Sequence, residues 1–337
     1  MKKIILMALI IISLFSCSKD DITPTFKNIY IAGIEYNNSG IATAKIWKNG
    51  VAQNLSDGTK YTWVASVFAS GPDVYAAGFE INENDISVAK LWKNGIAQNL
   101  SDGTRKASAF AVYVVKSDVY VVGRELNENN VYVAKLWKNG VAQNLSNGLK
   151  YAHAYSVFVS GDDVYAAGTE ITANGYAATV WKNGVAQNLT DGTRKAYANA
   201  VYVSGNDVYV VGRELNNDNN DVIKLWKNGV AQELTNGIKS NANATSVYVS
   251  GNDVYVAGQE LNENNRFIAK LWKNGVAQEL STKTSSARSV YVSESDVYVV
   301  YDESRDDGTV IRLWKNGKTT DITNSEDARC SSLFVAK

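Results

Sequence analysis

The chain has 337 residues, 45% of them hydrophobic and 10% aromatic, enough to bury a sizeable core and, on length alone, to suggest about two domains. Its 34 lysines and arginines balance 34 aspartates and glutamates. No global charge therefore draws it to nucleic acid or to an anionic membrane surface, and no nucleic-acid partner is expected.

In chain order the first element is Met1-Lys2-Lys3, an apolar run from Ile4 to Phe15, then Ser16 and Cys17. A basic head, a short hydrophobic segment and a small residue before a cysteine describe a signal peptide, and the run is too short for a permanent spanning helix. Leu14-Phe15-Ser16-Cys17 resembles the lipobox of bacterial lipoproteins, and Ser18-Lys19-Asp20-Asp21 resembles the acidic export tag on surface lipoproteins of Bacteroidota. The resemblance implies a signal peptide over 1–16, lipid attachment at Cys17 and a tether over 17–26. It also implies a membrane-anchored place on the bacterial outer membrane, at the cell surface, with a periplasm-facing anchor as the alternative. An ordinary exported protein with a cysteine near its cleavage site is the competing reading of Cys17. With Cys17 acylated, Cys330 has no disulfide partner and is expected as a small buried apolar residue.

From about residue 27 onward the sequence repeats. The decapeptide LWKNGVAQNL at 136–145 returns with small changes around Trp47, Trp92, Trp137, Trp181, Trp226, Trp272 and Trp314, spaced by 45, 45, 44, 45, 46 and 42 residues. That period is propeller-like. Each unit reads as four short strands, a to d: Ser246-Val247-Tyr248-Val249 typifies a, Val254-Tyr255-Val256-Ala257 typifies b, Ala-Lys-Leu-Trp is c, and Val-Ala-Gln-Asn-Leu is d. Ser250-Gly251-Asn252-Asp253 predicts a type II′ hairpin between a and b, although two units carry Lys116-Ser117 and Glu294-Ser295 at the turn. The Asn-Gly pair between c and d predicts a type I′ turn, and the tryptophan before it is expected as an apolar plate between neighbouring blades.

The repeat is entered at a strand b, Ile29-Tyr30-Ile31-Ala32, and left after a strand a, Ser332-Leu333-Phe334-Val335. Pairing these ends closes a ring and removes exposed sheet edges. The expected fold is all-β: a seven-bladed β-propeller over 27–337, built of four-stranded antiparallel blades and closed by the C-terminal strand a on the N-terminal strand b. The repeat resembles β-propeller repeat lipoproteins of Bacteroidota with a tryptophan-lysine-asparagine-glycine signature, over nearly the whole mature chain. That resemblance implies the fold and no particular activity. The sequence has neither the Trp-Asp dipeptide of WD40 repeats nor the paired glycines of kelch repeats.

Two charged series fall on the face that carries the b-to-c and d-to-a loops. Glu35, Glu80, Glu125, Glu170, Glu214, Glu260 and Glu303 follow strand b, while Lys60, Arg105, Lys150, Arg194, Lys239, Lys283 and Glu326 precede strand a. They are read as pairing with one another; a cationic ring attracting an anionic ligand is the alternative. Recurrence marks scaffold, so positions where the copies differ are the better place to look for a ligand. Trp63, Ser108, His153, Tyr197, Asn243, Ser286 and Arg329 form one such set, and Ala65, Phe110, Tyr155, Asn199, Thr245, Arg288 and Ser331 another two residues on. Strand alternation puts both sets on one side near the channel mouth.

From these, Trp63, Phe110, His153, Tyr155, Tyr197, Arg288 and Arg329 are taken as candidate ligand-binding residues for a glycan or a protein, with neutral drift at a tolerant rim as the alternative. His153, the single histidine, has no evident metal-binding or orienting partner. The run from Asn216 to Asp221 reads as a turn, and no metal, cofactor or catalytic residue is expected. The alternatives to a binding module are a structural surface protein and a polysaccharide-acting enzyme. The enzyme would draw on the one asymmetric acidic cluster, Asp302, Glu303, Asp306 and Asp307.

Overall fold

A computed structural model describes residues 27–238, 241–323 and 327–336. Cys17, with the signal peptide and tether expected around it, lies outside the described residues, as do Lys239 and Glu326. The described residues form seven four-stranded antiparallel sheets arranged as a seven-bladed β-propeller. Blade 1 is the closing blade. Its innermost strand is Ala328–Ala336, paired with Asn28–Tyr36 so that Ile31 faces Leu333 and Tyr30 faces Phe334. Blades 2 to 7 follow in chain order, their innermost strands beginning at Thr62, Ala107, Ala152, Ala196, Asn243 and Ser285.

The core is divided among the spaces between blades. Tyr75 and Leu91 on one face of blade 2 pack with Val112, Val121 and Trp137 on the facing side of blade 3. The same grouping occurs at each of the other interfaces, including that between blades 7 and 1, where Tyr298 and Leu313 meet Trp47 and Leu333. The repeated tryptophans are therefore the plates expected of them: Trp181 is fully buried and Trp314, at 7% exposure, is the most open. Trp63 is the one tryptophan of eight outside this series.

The turns explain why two separate motifs recur together. Both residues of each Asn-Gly pair take positive φ, as Asn139 at 51° and Gly140 at 81° do, the geometry of a type I′ hairpin. Asn274 then reaches back to the a-to-b turn, its Oδ1 accepting from Val254 N at 2.9 Å and its Nδ2 donating to Asp253 at 2.7 Å. Asp253 also accepts from Lys273 at 2.7 Å and from the Tyr255 hydroxyl at 3.3 Å, and Lys273 lies over the Tyr255 ring. Lys273 first, and Asn274 next, hold the Asp253 carboxyl below the usual carboxylate range. Six blades repeat the pairing of this aspartate with its lysine. Blade 1 has Asn28 instead, bonded by Asn49.

Strand b carries glycine at one inward position in six blades. A Cβ on Gly123 would lie 2.0 Å from the Ser108 carbonyl oxygen, so the neighbouring backbone must move to admit any side chain. Gly123→Ala is expected to destabilise the fold by about 1–3 kcal/mol. Lys116 has φ 54° where four other a-to-b turns have glycine, so Lys116→Gly is expected to raise stability by up to about 1 kcal/mol. Denaturant unfolding of both variants reads the two signs, and a neutral Gly123→Ala would contradict the close approach.

Candidate functional site at the loop-face mouth of the channel

In every blade the a-to-b register slips by one residue, which leaves Ala65, Phe110, Tyr155, Asn199, Thr245, Arg288 or Ser331 as the extra residue of a β-bulge. One of the two sets singled out above is thus the set of bulged residues. The bulge changes the alternation. Thr62 and Val64 are buried before it, Val67 and Ala69 after it, so Trp63 and Ala65 turn to the channel above the bulge and Phe68 below it. In six blades the glycine of strand b lies beneath the bulge, where the carbonyl of the channel-facing residue presses on it; in blade 7 Tyr301 takes its place.

A cavity of about 290 Å³ at this mouth is lined by Trp63, Phe110, Tyr155, Arg288 and Arg329, together with Ala65, Thr245, Cys330 and Ser331. Five of the seven candidate residues therefore meet there. His153 and Tyr197 do not line it. His153 stacks on Tyr155 with ring centroids 5.9 Å apart and planes 6° from parallel, and Tyr197 lies under the Arg213 guanidinium at 4.8 Å. A larger groove of about 490 Å³ lies outside the channel on blade 3. Its lining includes the repeated pairs Glu125–Lys135 and Arg105–Glu128, which are scaffold.

Strand b contributes residues that reading strand a alone does not find. The position after each glycine pairs across the bulge with the first variable set and is itself variable: Ile34, Phe79, Arg124, Thr169, Arg213, Gln259 and, after Tyr301 in blade 7, Asp302. Arg124 lies over Tyr132 at 4.2 Å and Phe110 at 5.5 Å, with Nη1 3.2 Å from His153 Nδ1. Arginine can only donate, so Nδ1 accepts and the imidazole proton sits on Nε2. Burial first, and the Arg124 charge second, lower the His153 pKa to about 4. Burial likewise raises the Tyr155 hydroxyl to about 12.

At the opposite side of the mouth Asp302 accepts from Arg288 Nε at 2.8 Å, from Cys330 N at 2.7 Å and from the Cys330 thiol at 3.0 Å. Cys330 is buried as expected, but it is a hydrogen-bond donor as well as a filler. Burial, reinforced by Asp302, pushes its thiol pKa well up, so it stays protonated and is no nucleophile. The acidic cluster does not converge on one site. Asp302 faces the channel, Glu303 is bonded by Ser281 and Arg312 on the other side of the strand, and Asp306 and Asp307 are exposed in the next turn.

The loop-face charges pair, but apart from Arg194 with Glu214 the partners differ from those read in the sequence. Glu35, Glu80, Glu125, Glu214 and Glu260 each meet the strand-c lysine diagonal to them, and Glu303 meets Arg312 in the same place. In blade 4 that lysine is Thr179, and burial raises the Glu170 pKa. Lys60 and Arg105 reach Glu83 and Glu128 in the b-to-c loops, Lys150 donates to the Thr172 carbonyl, and Arg194 lies 3.9 Å from Glu214. Asn216 closes an Asx turn by accepting from Asp218 N and Asn220 N, and Asp221 is taken by Arg213.

Towards the turn face, Phe68, Tyr113, Phe158, Tyr202, Tyr248, Tyr291 and Phe334 form a closed girdle around a second cavity of about 250 Å³. Neighbouring centroids are 4.5–5.1 Å apart and successive planes differ by 46–60°. Rings this close cannot lie edge to edge, so they stack like the vanes of a fan with their edges towards the axis.

The single histidine makes the mouth directly observable. Between about pH 6.5 and pH 4 the unfolded chain takes a proton at His153 that the folded one refuses, so stability falls as pH drops through that window and is indifferent to this group above it. NMR titration of its ring protons is expected to show a midpoint near 4, and His153→Gln to flatten the stability loss. A midpoint near 6.5 would contradict the burial against Arg124.

No protein-family profile matches the sequence, and no curated protein matches it. Solved structures share the fold. The puromycin-hydrolyzing peptidase of Mycobacterium tuberculosis aligns with a TM-score of 0.59 at 10% identity over 90% of this chain and 52% of its own. The β-propeller domain of the Trilobed protease from Pyrococcus furiosus aligns with a TM-score of 0.52 at 10% identity over 88% of this chain and 94% of its own. An acylaminoacyl peptidase from Pyrococcus horikoshii aligns at 0.49 and 13% identity over 88% of this chain and 51% of its own. The chain thus spans about half the length of the two peptidases. The P. furiosus domain has an open velcro topology, whereas here the C-terminal strand pairs with the N-terminal one. At these identities the likeness is one of β-propeller fold.

Proposed function

We propose that the protein is a lipid-anchored β-propeller of the bacterial cell envelope that binds a glycan at the loop-face mouth of its channel. The observation that carries this reading is the cluster of Trp63, Phe110 and Tyr155 with Arg288 and Arg329 around one cavity, on a scaffold whose other positions repeat. Flat aromatic faces suit the apolar faces of sugar rings, and arginine edges suit their oxygen atoms.

The contacts of Lys27 indicate how such an anchor would orient the disc. Lys27 donates to the Ser293 carbonyl at 3.1 Å and pairs with Glu294 at 2.8 Å, both in the a-to-b turn of blade 7. That turn belongs to the face opposite the mouth. A tether over 17–26, at most about 35 Å long when extended, would hold the turn face towards the membrane and leave the mouth outward.

In a glycan screen with soluble residues 18–337, Trp63→Ala and Tyr155→Ala are each expected to weaken binding about five- to tenfold without loss of folding. Binding unchanged by alanine at both would overturn the mouth as the site. Cys17→Ser is expected to abolish fatty-acid labelling and move the protein from the membrane to the soluble fraction. Retention of the label would overturn the anchor.

A further inference from the structure

The mouth has two unlike halves. On the side of blades 5 to 7 both arginines have an acid and most polar groups are engaged: Asn199 donates to Asn243 and to the Ala244 carbonyl, Thr245 donates to the Ala287 carbonyl, Arg213 pairs with Asp221, and Arg288 pairs with Asp302, while Gln259 Oε1 is buried without a partner. On the side of blades 1 to 4 stand Trp63, Phe110 and Tyr155 with Arg329 and Arg124. Among the described residues no carboxylate forms an ion pair with either of these arginines, and the buried Nε of Arg124 has no hydrogen-bond partner.

Resting on the glycan reading above, we infer that the ligand is an anionic glycan, its sugar rings on Trp63, Phe110 and Tyr155 and its carboxylate or sulfate groups on Arg329 and Arg124. Among the described residues four arginines, Arg124, Arg213, Arg288 and Arg329, stand against two paired aspartates, Asp221 and Asp302, which leaves two of these positive charges without an ion-pair partner. The Cys330 thiol is protonated and neutral and His153 is neutral above about pH 4, so neither alters that balance, and Lys195, over the Tyr176 ring beside Tyr197, adds to the positive side. The Arg124 guanidinium lies over Tyr132 and Phe110, its Nη1 bonded to His153 and its Nε buried, so Nη2 is the donor that remains for a ligand. A neutral sugar would leave both charges unpaired; an anionic one matches them in the partly dry setting of the aromatic walls, where charge-assisted hydrogen bonds are strongest.

The test is calorimetric titration of the full chain in detergent micelles with polygalacturonate oligosaccharides, their methyl esters, and dextran sulfate oligomers. The acid forms are expected to bind at least about tenfold more tightly than the esters. That preference is expected to shrink as salt rises, and to shrink in Arg329→Gln and Arg124→Gln. Arg329 is exposed, so its variant reads the charge term even if replacing the half-buried Arg124 perturbs folding. A preference for uronate over sulfate, or the reverse, supports the inference and names the charged group. Equal affinity for acid and ester overturns the anionic assignment while leaving the glycan site standing. No binding by any of the three overturns both.

Discussion

The pairing of Ala328–Ala336 with Asn28–Tyr36 is the constraint on which the molecule depends. Each blade is apolar on two faces and has no core of its own, so it is stable only between two neighbours. In an open stack Trp47 on blade 1 and Tyr298 on blade 7 would both face water. Joining the first and last described strands in one sheet turns seven half-buried sheets into seven equivalent interfaces. It also brings Arg329 beside Trp63 and Cys330 beneath Asp302, so half of the mouth exists only because the ring is shut.

The bulge is what separates scaffold from site. Below it the innermost strands hold one another, as where Val112 N donates to the Ser66 hydroxyl and Val201 N to that of Ser156. Above it an unpaired residue is turned out towards the channel at almost no cost in backbone bonding, and its identity is free to vary. The bulged positions carry alanine, phenylalanine, tyrosine, asparagine, threonine, arginine and serine on the same backbone course. Variation in chemistry without variation in fold follows from that one extra residue.

Most of the architecture was legible because its determinants are local and repeated: the tryptophan period, the Asn-Gly turns and the complementary ends at Tyr30 and Phe334. The site was legible in part, since Trp63, Phe110 and Tyr155 differ from their counterparts in other units. Arg124 escaped, and Asp302 was singled out only as one of an acidic cluster, because their place depends on which strand-b residue faces a bulge, and alternation along strand a carries no mark of a bulge. The partners of the glutamates were misread for a related reason. Glu80 and Lys90 meet through the b-to-c register, whereas Lys60, in the loop before strand a, reaches Glu83 in the b-to-c loop instead. The aromatic girdle was not legible, because Phe68 or Tyr202 becomes a vane only when seven strands are drawn to one axis.

The girdle also governs how a long molecule can use the channel. Seven rings at these spacings put their centroids about 5.5 Å from the axis, with ring edges and four tyrosine hydroxyls reaching inward from there. A pyranose cannot slip through such an iris. The passage is a cul-de-sac for polymers, so a chain cannot be threaded from one side of the disc to the other. A polymer entering it would lodge only a free end or a hairpin bend, and would depart by the door it entered.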